Sequence, residues 1–266
     1  MNILITGARG QLGNEMQLLA KENGQHEYWF TDVVTPEGSV AQKLDITNEA
    51  EVEAFVNEKE IDCVVNCAAF TAVDKAESSE ELCNLLNNMA PGYLARDVGK
   101  RGGCMVQVST DYVFDGQGSA PWQADDRCFA PLNVYGKSKL DGEFAVKENT
   151  DKFFIIRIAW VFGKNGKNFI RTMLNVGKTH DTVRVVNDQI GTPTYTADLA
   201  VLLVDMILTE KYGTYHATNE GGYISWYDFT KEIYRQAGLP VTVIPVTTAE
   251  YGISKARRPF NSRLDK

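Results

Sequence analysis

The sequence has few of the residues that build disulfide frameworks and metal clusters. Its five cysteines are an odd number without paired spacing, which predicts free thiols in a reducing compartment. Its three histidines, His26, His180 and His216, are too few and too widely separated for a zinc cluster. We therefore expect no metal site built from these residues, and a cytoplasmic location.

Long hydrophobic runs and a surplus of basic charge are also missing. The most apolar stretch, residues 199–208, contains Asp205 and is too short to cross a bilayer, and no signal-peptide pattern precedes the first apolar run. The formal net charge is −8, so the charge balance does not favour a nucleic-acid partner. We expect neither a membrane nor a nucleic acid to be a partner of this chain.

The 266 residues do contain a regular alternation of short apolar runs and helix-like stretches. This alternation is typical of βαβ units and predicts an α/β fold with a doubly wound, mostly parallel Rossmann-type sheet. The helix-like stretches cover residues 11–23, 48–59 (with Thr47 as the candidate N-cap), about 79–101 and about 133–147. The strand-like runs cover residues 2–6, 26–32, 62–69, 104–110 and 153–158.

The alternation loosens after residue 160, which predicts a second, smaller lobe. We expect a dinucleotide-binding domain over residues 1–160, to which residues 193–219 return. A smaller α/β substrate-binding lobe, interleaved with the first domain, is expected over residues 161–192 and 220–266. Further helical stretches are predicted at 168–178, 196–211 and 225–238, and extended stretches at 182–188 and 213–219.

The stretch GARGQLG at residues 7–13 places three glycines between the first strand and the first helix. Glycine permits positive φ and lets the backbone approach a ligand closely, which suits Gly7, Gly10 and Gly13 to a tight turn. The N-terminus of the following helix would point free N–H groups at that turn, so a pyrophosphate fits there. The G-x-x-G-x-x-G spacing resembles that of the extended short-chain dehydrogenase/reductase superfamily.

Three charged residues bear on which dinucleotide would bind. Asp32 ends the second predicted strand, where an acid accepts hydrogen bonds from the adenosine ribose and favours NADH. Arg9 could pair with the 2′-phosphate of NADPH or be a solvated loop arginine. Asp45 could reach the adenine or serve as a capping or turn residue. The sequence leaves NADH and NADPH both open.

Tyr135 and Lys139 in the segment YGKSK share one face of a predicted helix. A nearby ammonium stabilises a phenolate and lowers the phenol pKa, which would suit Tyr135 to proton transfer. Thr110, at the end of the strand 104–110, could bind the substrate oxygen or cap the backbone at the strand end. Together these residues predict a general-acid site beside the nucleotide loop.

Six segments resemble the dTDP-4-dehydrorhamnose reductase family, and the resemblance spans essentially the whole chain. It implies reduction of the 4-keto group of dTDP-4-dehydro-6-deoxy-L-mannose to dTDP-L-rhamnose, with NADPH slightly favoured over NADH. The segments are NCAAFTAVDKAE (66–77), VSTDYVFDG (108–116), PLNVYGKSKLDGE (131–143), RIAWVFG (157–163), NDQIGTPTYTADLA (187–200) and RPFNSRLD (258–265).

The resemblance also implies a role for each matching residue. Tyr135 and Lys139 would be the catalytic pair, with Lys139 also touching the nicotinamide ribose. Thr110 and Asp111 would contact the sugar, and Trp160 would pack on the substrate instead of being a plain core aromatic. The implied cofactor contacts are Gly7, Gly10, Gln11 and Leu12 at the pyrophosphate, Asp32, Asp45 and Ile46 at the adenosine, and Ala69, Phe70 and Thr71 along the cofactor.

Two other functions stay open at the level of the sequence. A sugar-nucleotide dehydratase or epimerase would use the same loop, but dehydratases place a second acid after the first, and here Asp111 is followed by Tyr112. The non-catalytic regulatory subunit of methionine adenosyltransferase is similar in the same segments. The presence of Thr110, Tyr135 and Lys139 favours an enzyme.

Acidic residues link some members of this family into a metal-bridged homodimer. Glu15 is the matching candidate in the first helix, although a solvated Glu15 is the interpretation that the sequence favours. The sequence ends at NSRLDK, where family members usually continue with another helix. Mg²⁺ and a homodimer are therefore kept as open possibilities.

Overall fold

A parallel sheet forms the body of the computed structural model, which describes residues 1–22, 24–252 and 254–266. Within these residues the sheet has seven strands in the order β11-β6-β5-β4-β1-β2-β3, and every neighbouring pair is parallel. Its strands are β1 (Asn2–Thr6), β2 (Glu27–Asp32), β3 (Gln42–Lys43), β4 (Cys63–Asn66), β5 (Cys104–Thr110), β6 (Phe153–Ile158) and β11 (Gly213–His216). The α/β Rossmann-type fold predicted from the sequence is confirmed.

Both faces of this sheet are covered, as the continuous apolar runs require. In β1, Ile3 and Ile5 point into one apolar core and Leu4 into the other, and all three are fully buried. Helices on the two faces supply the rest of each core. The described helices are α1 (Gln11–Glu22), α2 (Glu49–Glu58), α3 (Val73–Ala76), α4 (Glu80–Asn84), α5 (Ala90–Lys100), α6 (Val134–Asn149), α7 (Phe169–Gly177), α8 (Thr196–Ile207), α9 (Trp226–Ala237) and α10 (Thr248–Tyr251). Of these, α1 and α8 contribute to the core that holds Ile3 and Ile5, and α2, α5 and α6 contribute to the core that holds Leu4.

Two local expectations differ from the structure. Asn48, not Thr47, caps α2, because the Asn48 side chain accepts from the Glu51 N–H while Thr47 bonds to Asp45. The predicted helix over 79–101 is divided by one π-helical turn, Leu85–Met89, between α4 and α5. The turn contains Asn87, whose side-chain amide accepts from the Phe70 N–H and donates to the Phe70 carbonyl. These two bonds connect the π-helical turn to the loop after β4.

Three small sheets lie in the later part of the chain. Their strands pair as β10-β7, β12-β9-β14 and β13-β8. The predicted extended stretch 182–188 contains β8, and β11 returns to the main sheet beside β6. The strands are β7 (Val161–Phe162), β8 (Thr182–Val186), β9 (Ile190–Gly191), β10 (Thr194–Tyr195), β12 (Ile224–Ser225), β13 (Thr242–Val246) and β14 (Asn261–Ser262).

Among the residues that the structure describes, none of the helices combines the length and the apolar character that crossing a membrane would require.

Candidate active site

A cavity of about 560 Å³ opens where β1, β4, β5 and β6 end. The carboxyl edge of a parallel sheet is where ligands bind in doubly wound folds, because several strand-to-helix loops meet there. This cavity brings together most of the residues singled out from the sequence. Those lining it are Gly10, Gln11, Leu12, Ala69, Thr71, Thr110, Asp111, Tyr135, Lys139 and Trp160.

The glycine loop is compact enough to require its glycines. Gly7 has φ +61°, and a Cβ there would lie 2.7 Å from the backbone of Ala68. A Cβ at Gly13 would lie only 2.3 Å from the Gly7 carbonyl oxygen. The loop leads directly into α1, which begins at Gln11 with unpaired N–H groups. The cradle fits the pyrophosphate of a dinucleotide, since the backbone can approach it closely and the helix N-terminus attracts negative charge.

Asp32 and Arg9 lie together beside this loop. The Arg9 backbone N–H donates to the Asp32 carboxylate at 3.1 Å, and the Arg9 guanidinium donates to the Val34 carbonyl at 3.1 Å. Arg9 is exposed and Asp32 is half-buried. A carboxylate and a guanidinium therefore occupy the position at the end of β2 where the sequence predicts the adenosine ribose.

Three other residues predicted near the cofactor, Asp45, Ile46 and Phe70, are not among the residues lining the cavity and make local or core contacts. Asp45 accepts from the Thr47 N–H at 3.0 Å and the Thr47 hydroxyl at 2.6 Å, which is the turn role that the sequence left open. Ile46 is buried in the apolar core under α2. Phe70 packs in a small cluster with Ala76 and partly buried Tyr135. Their contacts with a cofactor stay predictions.

Helix α6 delivers Tyr135 and Lys139 to the cavity wall. Asn133 caps this helix, since its side chain accepts from the Gly136 N–H at 2.8 Å, so the helix begins just before Tyr135. The Lys139 ammonium donates to the Val108 carbonyl of β5 at 2.6 Å. Burial lowers the pKa of Lys139 to about 8.

The pKa of Tyr135 is shifted upward, and not downward as the sequence predicts. Burial is the main cause, and it outweighs a hydrogen bond with Thr110, which lowers the pKa. The phenol therefore keeps its proton at neutral pH. A protonated phenol is the form that a general acid needs at the start of a reduction.

Thr110 ends β5, Asp111 follows it directly in the 3₁₀ turn Asp111–Val113, and both residues line the cavity. The Thr110 hydroxyl donates to the Asp111 carboxylate at 3.1 Å and accepts from the Tyr112 N–H at 3.3 Å. The second contact is the strand-end capping role that the sequence left open for Thr110. Asp111 is buried, and burial raises its pKa to about 6 against hydrogen bonds with the Ser262 and Thr110 side chains.

Trp160 lies at the opposite wall in a strained conformation. Its φ is +50°, which costs a non-glycine residue on the order of 1–3 kcal/mol unless its surroundings hold it there. Its indole stacks on that of Trp226 with ring centroids 3.7 Å apart and an interplanar angle of 17°. Trp160 also packs against the buried apolar cluster that contains Phe114 and Leu140, and its contact with a substrate stays a prediction. Trp226, which the sequence analysis did not identify, also lines the cavity.

A second cavity of about 440 Å³ adjoins the first and shares Tyr112 and Trp226 with it. Arg258 lies in its wall, where it pairs with Asp74 at 2.7 Å and donates to the Tyr112 hydroxyl at 3.4 Å. The cavity has a basic lining that the sequence analysis missed. Its cationic residues are Arg184, Lys255, Arg257 and Arg258.

Glu15 is buried, with 6% of its surface exposed, so the expectation of a solvated side chain is wrong. Glu15 is among the buried residues of α1, a helix that packs against β1, β2 and α8. Within residues 1–22, 24–252 and 254–266, no three His, Cys, Asp or Glu side chains are grouped so as to hold a metal ion.

Known proteins share this fold and sequence over nearly the full chain. The family model described as the RmlD substrate binding domain matches residues 1–266. The crystal structure of a dTDP-4-dehydrorhamnose reductase from Clostridium acetobutylicum is 47% identical with a TM-score of 0.93, covering 100% of this chain and 90% of that one. A dTDP-4-dehydrorhamnose reductase from Bacillus anthracis, solved in complex with NADP, is 39% identical with a TM-score of 0.91, covering 99% and 90%.

A curated relative is similar over a comparable length. The spore coat polysaccharide biosynthesis protein SpsK of Bacillus subtilis is 38% identical over 262 residues, which make up 98% of this chain and 88% of SpsK.

Proposed function

The chain belongs to the RmlD substrate binding domain family, and we propose that it is an NAD(P)H-dependent reductase of a dTDP-linked 4-keto-6-deoxysugar. The substrate would be dTDP-4-dehydro-6-deoxy-L-mannose and the product dTDP-L-rhamnose. One observation carries this proposal: Thr110, Tyr135 and Lys139 line the same cavity as the glycine loop of the dinucleotide cradle. The proposed proton donor and the proposed cofactor site therefore share one cavity.

In the proposed mechanism Gly10 and Gln11 of the glycine loop would help to hold a reduced nicotinamide dinucleotide, which would supply hydride for the carbonyl carbon at C4. The Tyr135 hydroxyl, which burial keeps protonated, donates its proton to the carbonyl oxygen as negative charge develops there. The Thr110 hydroxyl would donate a hydrogen bond to the same oxygen and stabilise its developing charge during the transfer. Lys139, one helical turn from Tyr135, keeps a positive charge close to the phenolate that remains.

The second cavity would hold the nucleotide part of the substrate. Its cationic lining suits a diphosphate, because guanidinium groups bind phosphate oxygens through charge-assisted hydrogen bonds. The shared residues Tyr112 and Trp226 would then lie where the sugar joins the diphosphate. We propose that residues 161–192 and 220–266 are the lobe that supplies most of this binding surface.

Asp32 and Arg9 would both act at the adenosine end of the cofactor. Asp32 can accept from the ribose hydroxyls of NADH, while Arg9 can pair with the 2′-phosphate of NADPH. Their side-by-side arrangement supports use of both cofactors.

The decisive experiment compares NADH and NADPH oxidation by the purified protein with the dTDP-linked 4-keto sugar and identifies the sugar product. We expect oxidation that depends on the keto sugar and yields the 4-hydroxy sugar with either cofactor. Cofactor binding without turnover, together with copurification of a second enzyme, would contradict the proposal and favour a regulatory subunit.

A further inference from the structure

Glu143 and Arg157 form a fully buried ion pair behind the active-site wall. The guanidinium binds the carboxylate through two hydrogen bonds, from Nε at 2.9 Å and from Nη2 at 2.7 Å. Nη1 donates to the Ala124 carbonyl at 3.3 Å, and the rings of Phe114 and Phe129 lie 5.1 Å from the guanidinium carbon. Burying such a pair costs desolvation free energy, and the pair need not stabilise the fold more than two apolar side chains of similar volume would. Stability alone therefore does not explain why the pair is present.

The position of Glu143 connects the pair to the proposed chemistry. Tyr135, Lys139 and Glu143 follow one another at intervals of four along α6, so they lie on one helix face. The Ser109 hydroxyl donates to Glu143 at 2.6 Å, and the Lys139 ammonium donates to the neighbouring Val108 carbonyl at 2.6 Å. Consecutive residues of β5, Val108 and Ser109, therefore bind Lys139 and Glu143 respectively.

Glu143 also supplies the negative charge that acts on the Lys139 ammonium. Burial removes Lys139 from water and disfavours its charged form, whereas Glu143 favours that form. The other titratable groups acting on Lys139 are the thiols of Cys67 after β4 and Cys83 in α4. Burial raises the pKa of both thiols, for Cys67 to about 12, so they stay neutral at working pH.

The neighbouring elements offer no other such charge acting on this ammonium. Towards α6, β5 presents the hydroxyls of Ser109 and Thr110, and β6 presents Arg157, which is bound to Glu143. Among the described residues, Glu143 is therefore the one carboxylate among the groups that act on Lys139.

We propose that Glu143 is a positioning residue for proton transfer: held by Arg157 and Ser109, its carboxylate keeps Lys139 in the ammonium form at neutral pH. Through Lys139 it favours release of the Tyr135 proton. The consequence for turnover rests on the proposed function, whereas the protonation state of Lys139 does not.

The test titrates the Lys139 side chain by NMR in protein labelled with ¹³C-lysine, with Lys139→Arg used to assign its signal. Glu143→Gln/Arg157→Met removes both charges and leaves an amide oxygen to accept from Ser109. We expect the Lys139 midpoint to fall by about one pH unit, which is about a tenfold larger acid dissociation constant. Asp141→Asn removes the same charge from the same helix and should leave the midpoint in place.

An unshifted midpoint in a folded double variant would overturn the proposal, as would an equal shift in the control. Glu143→Gln alone provides a second variant with the charge removed. If neither variant folds, the unmodified protein decides, since a Lys139 side chain that is neutral at pH 7 contradicts the proposal.

The pH profile of turnover supplies the second measurement. Activity that needs the ammonium is lost as the pH rises through the Lys139 pKa, so the basic limb should move to lower pH in the variants by the same amount. An unmodified protein without keto-sugar turnover would contradict the proposed function, while the NMR titration would still decide the role of Glu143.

Discussion

Burial raises the pKa of both Tyr135 and Asp111, which line the same cavity. At neutral pH Tyr135 keeps its proton beside the proposed position of the carbonyl oxygen, whereas Asp111, with a pKa of about 6, is mostly ionised. Removing the phenol alone tests this feature. Tyr135→Phe should lower turnover by roughly 10²–10⁴-fold, the usual contribution of a positioned acid, because the ring stays and only the proton is lost.

Cofactor binding is the control for that variant. NADPH or NADH affinity, measured by calorimetry, should be nearly unchanged in Tyr135→Phe. Turnover equal to that of the unmodified protein would remove Tyr135 from the role of acid.

The raised pKa of Asp111 leads to a prediction about how the free energy of unfolding depends on pH. Its folded pKa of about 6 lies above its ordinary value of 3.8, so the folded state binds the proton more tightly and loses stability as the pH rises from about 4 to 6. Asp111→Asn removes this loss. Relative to the unmodified protein, the variant should gain up to ~3 kcal/mol in unfolding free energy between pH 4 and pH 7, because one pKa unit is worth about 1.4 kcal/mol.

Urea unfolding at several pH values measures this difference. Asp125→Asn, a change at an exposed acid, serves as the control. A stability difference between Asp111→Asn and the unmodified protein that is constant from pH 4 to pH 8 would contradict the prediction.

The position of Asp32 leads to a prediction about the preference between NADPH and NADH. Because its carboxylate repels a 2′-phosphate, Asp32→Ala should raise the ratio of kcat/KM for NADPH over that for NADH. Steady-state rates with both cofactors measure this ratio. An unchanged ratio would show that Asp32 does not face the ribose.

At the level of secondary-structure elements, the junction between β1 and α1 is packed backbone against backbone. At Gly13 the packing is so close that a methyl group does not fit. A Cβ at Gly13 would overlap the Gly7 carbonyl and the Ala8 backbone, at 2.3 and 2.6 Å. Gly13→Ala should force the loop apart, destabilise the fold by roughly 1–3 kcal/mol and abolish cofactor binding. Thermal unfolding and calorimetry measure the two effects.

Gly222→Ala is the matched control, since a Cβ there would meet nothing within 4 Å. Equal behaviour of the two alanine variants would show that close packing at Gly13 is not needed.

The long elements could be predicted from the sequence because their signals are local. The apolar runs of β1, β5 and β6 and the periodic stretches of α1, α6, α8 and α9 lie close to their predicted bounds. The two-residue strands, such as β9 and β14, form only because distant segments pair, so no local pattern predicts them. Asn48 replaces Thr47 as the cap for a different, local reason: Thr47 is already bonded to Asp45, two residues before it.

The same distinction applies to the candidate site. Tyr135, Lys139 and the glycines belong to short motifs, and the structure gathers most of them at one cavity. Glu143 with Arg157, and Trp160 with Trp226, matter as pairs whose members are separated along the chain. The burial of Glu15 could not be predicted because it comes from the packing of α1 in the folded chain, which the local sequence does not show.

For the whole molecule, the Asp74–Arg258 ion pair ties the segment after β4 to the end of the chain. Arg257 beside it lines the basic cavity, and its backbone carbonyl accepts from Asn133. Arg257→Gln should weaken binding of the dTDP-linked sugar by about tenfold, which is ~1.4 kcal/mol, without changing cofactor affinity.

Equilibrium binding of dTDP tests this prediction without any need for turnover. Lys21→Gln, which removes an exposed charge on α1, should bind dTDP as the unmodified protein does. A loss of dTDP affinity as large in Lys21→Gln as in Arg257→Gln would point to a general effect of net charge.

The face-to-face indoles of Trp160 and Trp226 join the end of β6 to the start of α9 at van der Waals distance. Two chromophores that close share their excited states, so their near-ultraviolet circular dichroism depends on how the rings are angled. The Trp160–Trp226 pair is thus an intrinsic spectroscopic probe at the place where the two cavities adjoin. Entry of a ligand that tilts either ring can be followed in real time without any added label.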